Sequence, residues 1–315
     1  MSSSVVVRAY NEEQHIGRLL TGILRQLSSP KEIIVVDSGS TDATVEIASR
    51  FPKVRVVPIA KDEFSFGRSL NRGCAEATGD ILVFASAHVY PLFDSWLAEL
   101  LRPFRDPATA LVYGRQVGDE TSKYSEQQIL AQWFPDRSVD DQDHPFCNNA
   151  NAAIRRDVWE RLPFDEGLTG LEDLDWAQRA LRLDLKIAYS SEAVIVHIHQ
   201  ESWRQIADRY RREAIAHKRI LQTHRMGMIE ALRLTARNIT SDWLRAHKER
   251  VLRRRFAEIA AFRAAQFWGT YKGFSHKGPI DRSLKERFYY PAIAPGMPET
   301  AAPGTPIAYG EDASE

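Results

Sequence analysis

The chain has 315 residues with 42 basic and 42 acidic side chains, so its formal net charge is zero and gives no general attraction for nucleic acid. Its two cysteines, Cys74 and Cys147, exclude a disulfide framework and a cysteine zinc site, which suits a reducing compartment. Because the sequence has neither a signal-peptide pattern nor an apolar run of about 20 residues, it predicts a cytoplasmic protein. The balanced charge predicts no nucleic-acid partner.

The first sixty residues alternate between short apolar runs and amphipathic segments. Strands are predicted at 5–7, 32–36 and 54–59, with helices at about 16–27 and 41–50 between them. This β-α-β-α-β order predicts an α/β fold with a doubly wound, mostly parallel sheet. Right-handed crossovers then place the loops that follow the first two strands on the same edge of the sheet.

These two loops carry side chains suited to a nucleotide. Asp37 can accept a hydrogen bond from a base imide, and Tyr10 can stack on the base. A helix cap or Asx turn explains Asp37 equally well. The sequence has neither a GxGxxG nor a Walker motif, so the usual phosphate-binding loops are absent.

The segment KDEFSFGRSLNRG at residues 61–73 predicts a folded loop followed by a helix. Arg68 and Asn71 lie one helical turn apart, so both can face the crevice. The guanidinium of Arg68 can bind a diphosphate in fork geometry. An exposed surface arginine is the alternative interpretation.

The stretch GDILVFASAHVYP at residues 79–91 predicts the central strand. Its apolar run at 81–85 is typical of a strand buried on both faces. Because ligands bind beyond the carboxyl ends of such strands, Ser86 and His88 are expected over a ligand crevice. Pro91 ends the regular structure.

Two later segments carry further candidate groups. Glu172 and Asp173 fall in the first turn of a predicted helix at about 170–183, where the helix dipole keeps carboxylates ionised and one of them can act as a general base. An acidic helix start with Trp176 in the core is the alternative. His197 and His199 follow a strand on one face, as metal ligands or as a hydrogen-bonded structural pair. The aspartates in the loop at 135–145 are interpreted as solvated.

Taken together, these segments resemble family-2 glycosyltransferases of the GT-A fold, in particular the rhamnosyltransferase-like branch. The motifs that carry the resemblance are, in chain order, RAYNE at 8–12, VVDSGSTD at 35–42, FSFGRSLNRG at 64–73, Glu172-Asp173 with Trp176, and His197. The resemblance covers about residues 4–203. It implies an enzyme that transfers a sugar with inversion from a nucleotide-diphosphate donor, a UDP- or dTDP-sugar, to a saccharide or lipid-linked acceptor.

The resemblance also implies roles for individual residues. Asp173 would be the catalytic base, with Glu172 beside it. The residues expected to bind the nucleotide-sugar are Ala9, Tyr10, Glu12, Asp37, Arg68, Asn71, Ser86 and Ala87. Those expected near the donor or acceptor sugar are Asn148, Asn151 and Trp176.

The sequence departs from the family at its centre, where Ser86-Ala87-His88 replaces the usual Asp-x-Asp. We expect His88 and His197, with His199 as a substitute for His197, to hold a divalent ion, Mn²⁺ in preference to Mg²⁺. The alternatives are a protonated His88 that contacts the diphosphate, a metal-independent transferase, or a catalytically silent module that binds nucleotide-sugars or acts as a scaffold.

Three regions are predicted: a catalytic domain at 1–202, a basic helical region at 203–290 and a disordered tail at 291–315. The helical region either lies on the inner face of the membrane, near a lipid-linked acceptor, or packs on the catalytic domain or another subunit. The predicted role is in the synthesis of a cell-surface polysaccharide or glycolipid.

Overall fold

The computed structural model describes residues 1–221 and 225–278. Its strands are β1 Ser3–Ala9, β2 Glu32–Asp37, β3 Val54–Pro58, β4 Ile81–Ser86, β5 Val89–Pro91, β6 Thr109–Val117, β7 Asn151–Arg155 and β8 Lys186–His197. Its α-helices are α1 Ile16–Leu24, α2 Thr44–Ser49, α3 Phe66–Glu76, α4 Trp96–Leu101, α5 Tyr124–Trp133, α6 Arg156–Arg161, α7 Glu172–Leu181, α8 Trp203–Ile220, α9 Met228–Lys248 and α10 Leu252–Phe274.

The strands form one mixed sheet in the order β3-β2-β1-β4-β7-β6-β8-β5. β1 to β4 are parallel, and β7 runs antiparallel to both of its neighbours, β4 and β6. Because β7 is antiparallel to both β4 and β6, these two strands point in the same direction, and β8, which is parallel to β6, points that way too. The carboxyl ends of β1, β2, β4, β6 and β8 therefore meet along one edge, where α/β sheets bind their ligands.

Both faces of the sheet are buried. Val5 and Val7 of β1 face one hydrophobic layer together with α1 and α4, while Val6 faces the other together with α3 and α7. Trp96 of α4 and Trp176 of α7 are fully buried, one in each layer. The unbroken apolar runs of the sequence are explained by this two-sided packing, and the predicted α/β, mostly parallel fold is confirmed.

Two predicted boundaries differ from the structure. The apolar pattern predicts two short strands at 186–189 and 193–196, whereas the structure has one strand, β8, which runs through the polar Ser190-Ser191-Glu192 segment. The pattern also predicts a strand-like stretch at 146–156, which becomes regular only at Asn151. A turn closed by the Asn151 N–H to Asn148 carbonyl bond precedes this strand, and the backbone N–H of Asn149 donates to a carboxylate, that of Asp173, rather than to a strand.

The C-terminal helices pack on the part of the chain that forms the sheet, through α5. The hydroxyl of Ser125 donates to Asp242 over 2.7 Å, and Arg263 forms a buried ion pair with the same carboxylate at 2.8 Å. These contacts agree with the packing alternative from the sequence. Among residues 1–221 and 225–278, none of the helices combines the length and apolar character needed to cross a membrane. The tail predicted to be disordered lies outside the described residues.

Candidate active site

The end of β1 is joined to the start of α7 by an ion pair. Nη1 of Arg8 lies 2.9 Å from Oε1 of Glu172, and both side chains are largely buried. Arg8 is also paired in register with Ser86 at the end of β4. The pair therefore brings the first loop, the central strand and the carboxylate motif to one place, although Arg8 and Glu172 are 164 residues apart in the chain. In the sequence, Arg8 stands out only as the first residue of the RAYNE motif at 8–12.

Asp173 is held beside this ion pair by two backbone N–H donors. Its Oδ2 accepts from Asn149 at 3.0 Å and its Oδ1 from Leu174 at 2.8 Å, so the carboxylate is fixed in orientation. Burial and the neighbouring negative charge of Glu172 raise the pKa of Asp173 well above its ordinary value, against the two N–H donors and Arg8. A carboxyl group whose pKa approaches neutrality is suited to taking up a proton from a substrate.

The backbone before α7 is in an uncommon conformation. Leu171 adopts a φ of 55°, in the left-handed region that residues other than glycine rarely enter. This turn allows Glu172 and Asp173 to begin the helix while both carboxylates face the edge of the sheet. A local conformation of this kind is often found at functional sites.

The loops after β1 and β2 are bonded together. Asp37 accepts from the backbone N–H groups of Gly39 and Ser40 and from the Ser40 hydroxyl, at 3.0, 3.1 and 2.5 Å. The turn alternative for Asp37 therefore holds, and its carboxylate is ordered at the crevice. Lys61, in the turn that follows β3, donates through Nζ to the hydroxyl of Tyr10 at 3.3 Å, and this Nζ lies 4.9 Å from the ring centroid of Tyr10.

Several predicted binding residues have a supporting place in the structure. Asn71 bonds the backbone of Phe164 through both ends of its amide. Arg68 forms an ion pair with Glu166 at 2.8 Å in the same turn. Arg68 and Asn71 therefore fix the turn at 162–167, and the predicted diphosphate contact of Arg68 would require this pair to open.

Two residues expected near the sugar are part of the core. The amide of Asn151 is fully buried and accepts from Trp96 Nε1 at 2.8 Å, while its NH₂ donates to two backbone carbonyls. Trp176 is buried and donates to the carbonyl of Leu162. Neither side chain is open to a sugar in this structure, so their predicted sugar contacts are corrected to structural roles. Of that predicted group, Asn148 stays partly exposed, in the turn beside Asp173.

Three histidines meet where β4 and β8 end. The ring centroids of His197 and His199 lie 4.0 Å apart, and that of His88 lies 5.1 and 5.9 Å from them. One ring nitrogen of each residue lies within 4.8 Å of a ring nitrogen of the other two. The three residues predicted as metal ligands are therefore brought together from segments more than a hundred residues apart.

Each imidazole is oriented by an oxygen acceptor behind it. Nδ1 of His88 lies 2.8 Å from Glu12 Oε1, Nδ1 of His197 lies 2.7 Å from Gln116 Oε1, and Nδ1 of His199 lies 2.8 Å from Glu126 Oε1. In a neutral imidazole, an Nδ1–H that donates to such an oxygen leaves the lone pair of Nε2 available to a metal ion. Nε2 of His197 is buried without a hydrogen-bond partner, as expected of a metal ligand. The donor set therefore fits a divalent transition-metal ion.

The titration of two of these histidines is shifted by their surroundings. Burial lowers the pKa of His197 well below its ordinary value, as do the neighbouring His199 and His88, so His197 stays neutral and able to ligate. Burial also opposes the protonation of His88, but the carboxylate of Glu12 outweighs it and raises the pKa of His88.

The histidine cluster and the carboxylate open onto the same edge. Arg8 is paired with Glu172, the neighbour of Asp173, and lies in register with Ser86, two residues before His88, so both groups lie beside the Arg8 position. Phe66 packs below it, with its ring centroid 4.8 Å from the Arg8 guanidinium and 4.7 Å from that of Arg212 in α8. One mouth is therefore formed by β1, β4, α7 and β8, with α8 at its side.

This sheet and this arrangement of loops define a GT-A glycosyltransferase fold. Residues 4–162 match the model of glycosyl transferase family 2, and the chain belongs to that family and is a glycosyltransferase.

Two curated relatives are O-antigen chain rhamnosyltransferases. RfbN of Salmonella typhimurium is 28% identical over 222 residues, which is 67% of this chain and 70% of RfbN. WbaN of Salmonella anatum is 32% identical over 205 residues, which is 59% of this chain and 62% of WbaN.

Solved structures share the fold at low sequence identity. The mannosyltransferase PcManGT from Pyrobaculum calidifontis, in complex with GDP-Man and Mn²⁺, has a TM-score of 0.63 at 18% identity, covering 87% of each chain. S. aureus TarS 1-349 in complex with UDP has a TM-score of 0.53 at 18% identity, covering 86% of this chain and 90% of that TarS 1-349 chain. These two similarities show the fold alone.

Proposed function

We propose that this glycosyltransferase transfers a sugar, with inversion, from a UDP- or dTDP-sugar to a hydroxyl group of a saccharide or lipid-linked acceptor during the synthesis of a cell-surface polysaccharide or glycolipid. The kinship with two O-antigen chain rhamnosyltransferases supports this class of substrate. The nucleotide-sugar in the PcManGT complex supports a donor of the same type.

The observation that carries the proposal is the position of Asp173. Its carboxylate is buried at the mouth, oriented by two N–H donors and raised in pKa. In the proposed reaction it takes the proton of the acceptor hydroxyl while that oxygen attacks the anomeric carbon from the face opposite the nucleotide. Glu172, which is paired with Arg8, keeps the negative charge that raises the pKa of Asp173.

The nucleotide is proposed to lie across the loops after β1, β2 and β4. Tyr10 would cover the base, and Asp37 would accept from its imide group. The chain around Ala9, Glu12, Ser86 and Ala87 would form the wall of the pocket, because Ser86 is paired with Arg8 at the end of adjacent strands. Arg8 and Arg212 would supply positive charge near the diphosphate.

His88, His197 and His199 would hold a divalent cation through Nε2. A bound cation would stabilise the charge that develops on the departing diphosphate. In this arrangement Glu12, Gln116 and Glu126 keep the three rings in the tautomer that can ligate. The Mn²⁺ in the PcManGT complex supports a divalent ion in this fold.

A second candidate is a silent module that binds nucleotide-sugars. It is favoured by Ser86-Ala87-His88 at the position of the family's Asp-x-Asp. Release of nucleotide diphosphate from a donor separates the two, since a binding module releases none. We favour the enzyme because the carboxylate of Asp173 is oriented and raised in pKa without any ligand being needed.

We further propose that residues 1–202 form the catalytic domain and that the enzyme works in the cytoplasm, with the helical region approaching the inner face of the membrane. The start of α9 exposes Ile229 and Leu232, which are 84% and 62% exposed, next to Arg233 and Arg237. Apolar and basic side chains together favour an anionic lipid surface. A homo-oligomer through the same helices is the alternative.

The proposal is tested with a panel of nucleotide-sugars. A bound donor should raise the unfolding temperature by mass action, and the donor that does so identifies the nucleotide and sugar. That donor is then incubated with saccharide acceptors, and the transfer product is measured for the native chain and for Asp173→Asn. Absence of both transfer and donor hydrolysis, with donor binding retained, would support the silent module instead.

A further inference from the structure

We propose that His88, His197 and His199 form a preassembled centre that binds a nitrogen-preferring transition-metal ion before any nucleotide and rejects magnesium. The inference deepens the proposed function, because the same ion would meet the donor diphosphate. The metal selectivity of the site and the effect of the residues that orient its ligands can both be measured without substrate.

The three imidazole rings are oriented by the same kind of hydrogen bond, from Nδ1 to a side-chain oxygen. All three Nδ1 atoms point at oxygen acceptors at 2.7–2.8 Å, so all three rings offer Nε2 to the same space. Ring nitrogens within 4.8 Å of one another are close enough for one ion to bind all three with small adjustments. Imidazole nitrogens are ligands that suit transition-metal ions such as Zn²⁺ and Co²⁺, whereas Mg²⁺ prefers oxygen ligands and retains its waters.

The histidine side chains are held in place by protein groups alone. His197 is buried, with its Nε2 lacking a partner and its Nδ1 held by the buried Gln116. Oε1 of Glu126, also buried, receives both His199 Nδ1 at 2.8 Å and Arg209 Nη2 at 2.7 Å. Imidazoles fixed in this way lose little freedom when an ion arrives, so the affinity does not depend on a diphosphate.

His199 is supported through Glu126 by the C-terminal helices. Arg209 lies in α8 and also pairs with Glu201 at 2.7 Å, so it fixes Glu126 from the C-terminal helices. The residue before Glu126, Ser125, is bonded to Asp242 of α9. Glu126 is therefore a positioning residue, and the helical region takes part in holding the third ligand.

The test is a metal titration of the full chain, stripped of metal by a chelator and free of nucleotide. Co²⁺ is the optical probe, because its visible absorption spectrum reports the nitrogen ligands, and Zn²⁺ affinity is measured by competition with a chromophoric chelator. We expect one equivalent of Co²⁺ to bind, Zn²⁺ to displace it, and Mg²⁺ at a thousandfold excess to leave the spectrum unchanged.

Variants then test the ligands. His199→Ala and His88→Ala should each weaken Zn²⁺ binding at least about 100-fold and change the Co²⁺ spectrum. Glu126→Ala should weaken it by about 10- to 100-fold, the range observed for groups that orient a ligand, and Glu126→Gln should restore part of the loss. His144→Ala is the matched control: His144 is exposed in the loop bonded to Ile187 near the start of β8, whereas His197 ends that strand, so the affinity should not change. Unfolding curves show whether each variant is folded.

Three results would overturn the inference: no Co²⁺ binding by the folded native chain, binding unaffected by either histidine substitution, or displacement by Mg²⁺ at comparable concentration. If donor turnover persists with magnesium while transition metals do not bind, the inference fails and the glycosyltransferase function stands. If the metal binds as expected and no donor is ever cleaved or transferred, the metal centre stands and the proposed catalytic function fails.

Discussion

Replacing Asp173 with asparagine tests the proposed base through both stability and catalysis. Burial and Glu172 raise the pKa of Asp173 from 3.8 to about 7. A difference of about three pH units corresponds to about 4 kcal/mol of free energy that the folded protein loses when this carboxyl ionises. Asparagine cannot ionise, so the variant does not incur this cost.

The sign of the effect depends on pH. The neutral form of Asp173 contributes its full stability below pH 3.8, and this contribution is lost as pH rises toward the raised pKa near 7. Asparagine has one carbonyl oxygen and can accept from only one of the two N–H donors of Asn149 and Leu174. The unsatisfied donor costs about 1–3 kcal/mol. We therefore expect Asp173→Asn to be less stable than the native chain near pH 4 and more stable near pH 8.

Urea unfolding of both proteins at pH 4, 6 and 8 measures this crossover, because the difference between the two curves isolates the substituted carboxyl. The activity of the native chain should rise over the pH range in which its stability falls. Native activity should rise with pH toward about 7, where Asp173 becomes ionised, and the variant should lose about 100- to 10,000-fold in kcat. Donor affinity should be retained.

Two results would contradict this reasoning. A loss of stability of equal size at all three pH values would show that the pKa of Asp173 is not raised. Turnover by the asparagine variant within a few fold of the native rate would remove Asp173 from the role of base.

Three further changes test the electrostatics and packing around the site. Arg8→Gln removes a positive charge that opposes the rise in the pKa of Asp173, the proposed base, so the pH at half-maximal activity should rise; an unchanged profile would contradict a mouth shared by these residues. Gly269→Ala should lower the free energy of unfolding by about 1–3 kcal/mol because its β-carbon would overlap the carbonyl of Ala207, whereas Gly227→Ala, in open space, should change it by less than about 1 kcal/mol in urea unfolding. Arg263→Leu leaves a buried aspartate unpaired and should cost about 3–5 kcal/mol, again by urea unfolding; a neutral result would show that α9 and α10 dock without this pair.

The framework could be predicted because its signals are local. Buried strands such as Ile81–Ser86 are continuous apolar runs, and the order of strands and helices fixes which loops share an edge. Continuous polar stretches were harder to interpret. Ser190 and Ser191 interrupt the apolar pattern of β8, yet both are buried between neighbouring strands, so one long strand was predicted as two.

The roles of single polar side chains could not be separated by sequence. Asn71 and Asn151 have the composition of binding residues, and only their partners reveal that their amides support the backbone. Arg8 and Glu126 were not predicted as site residues for the opposite reason. Their function is to hold other side chains, and the residues that they hold lie 164 and 73 positions away.

In the proposed metal site, carboxylates behind the imidazoles would partly offset the replacement of the Asp-x-Asp aspartate by His88. From the sequence, an imidazole in that place removes a negative charge and weakens the binding of a cation. In the structure, the carboxylate of Glu12 lies 2.8 Å behind His88, and that of Glu126 lies 2.8 Å behind His199. A carboxylate that accepts from Nδ1–H makes the opposite nitrogen a stronger electron donor and leaves its own charge near the ion. The Glu126 carboxylate is paired with Arg209, so Glu12 would supply most of the negative charge near a bound cation, and the site would present nitrogen, not oxygen, as the ligand. For this reason we expect the substitution to change which ion binds rather than to abolish binding.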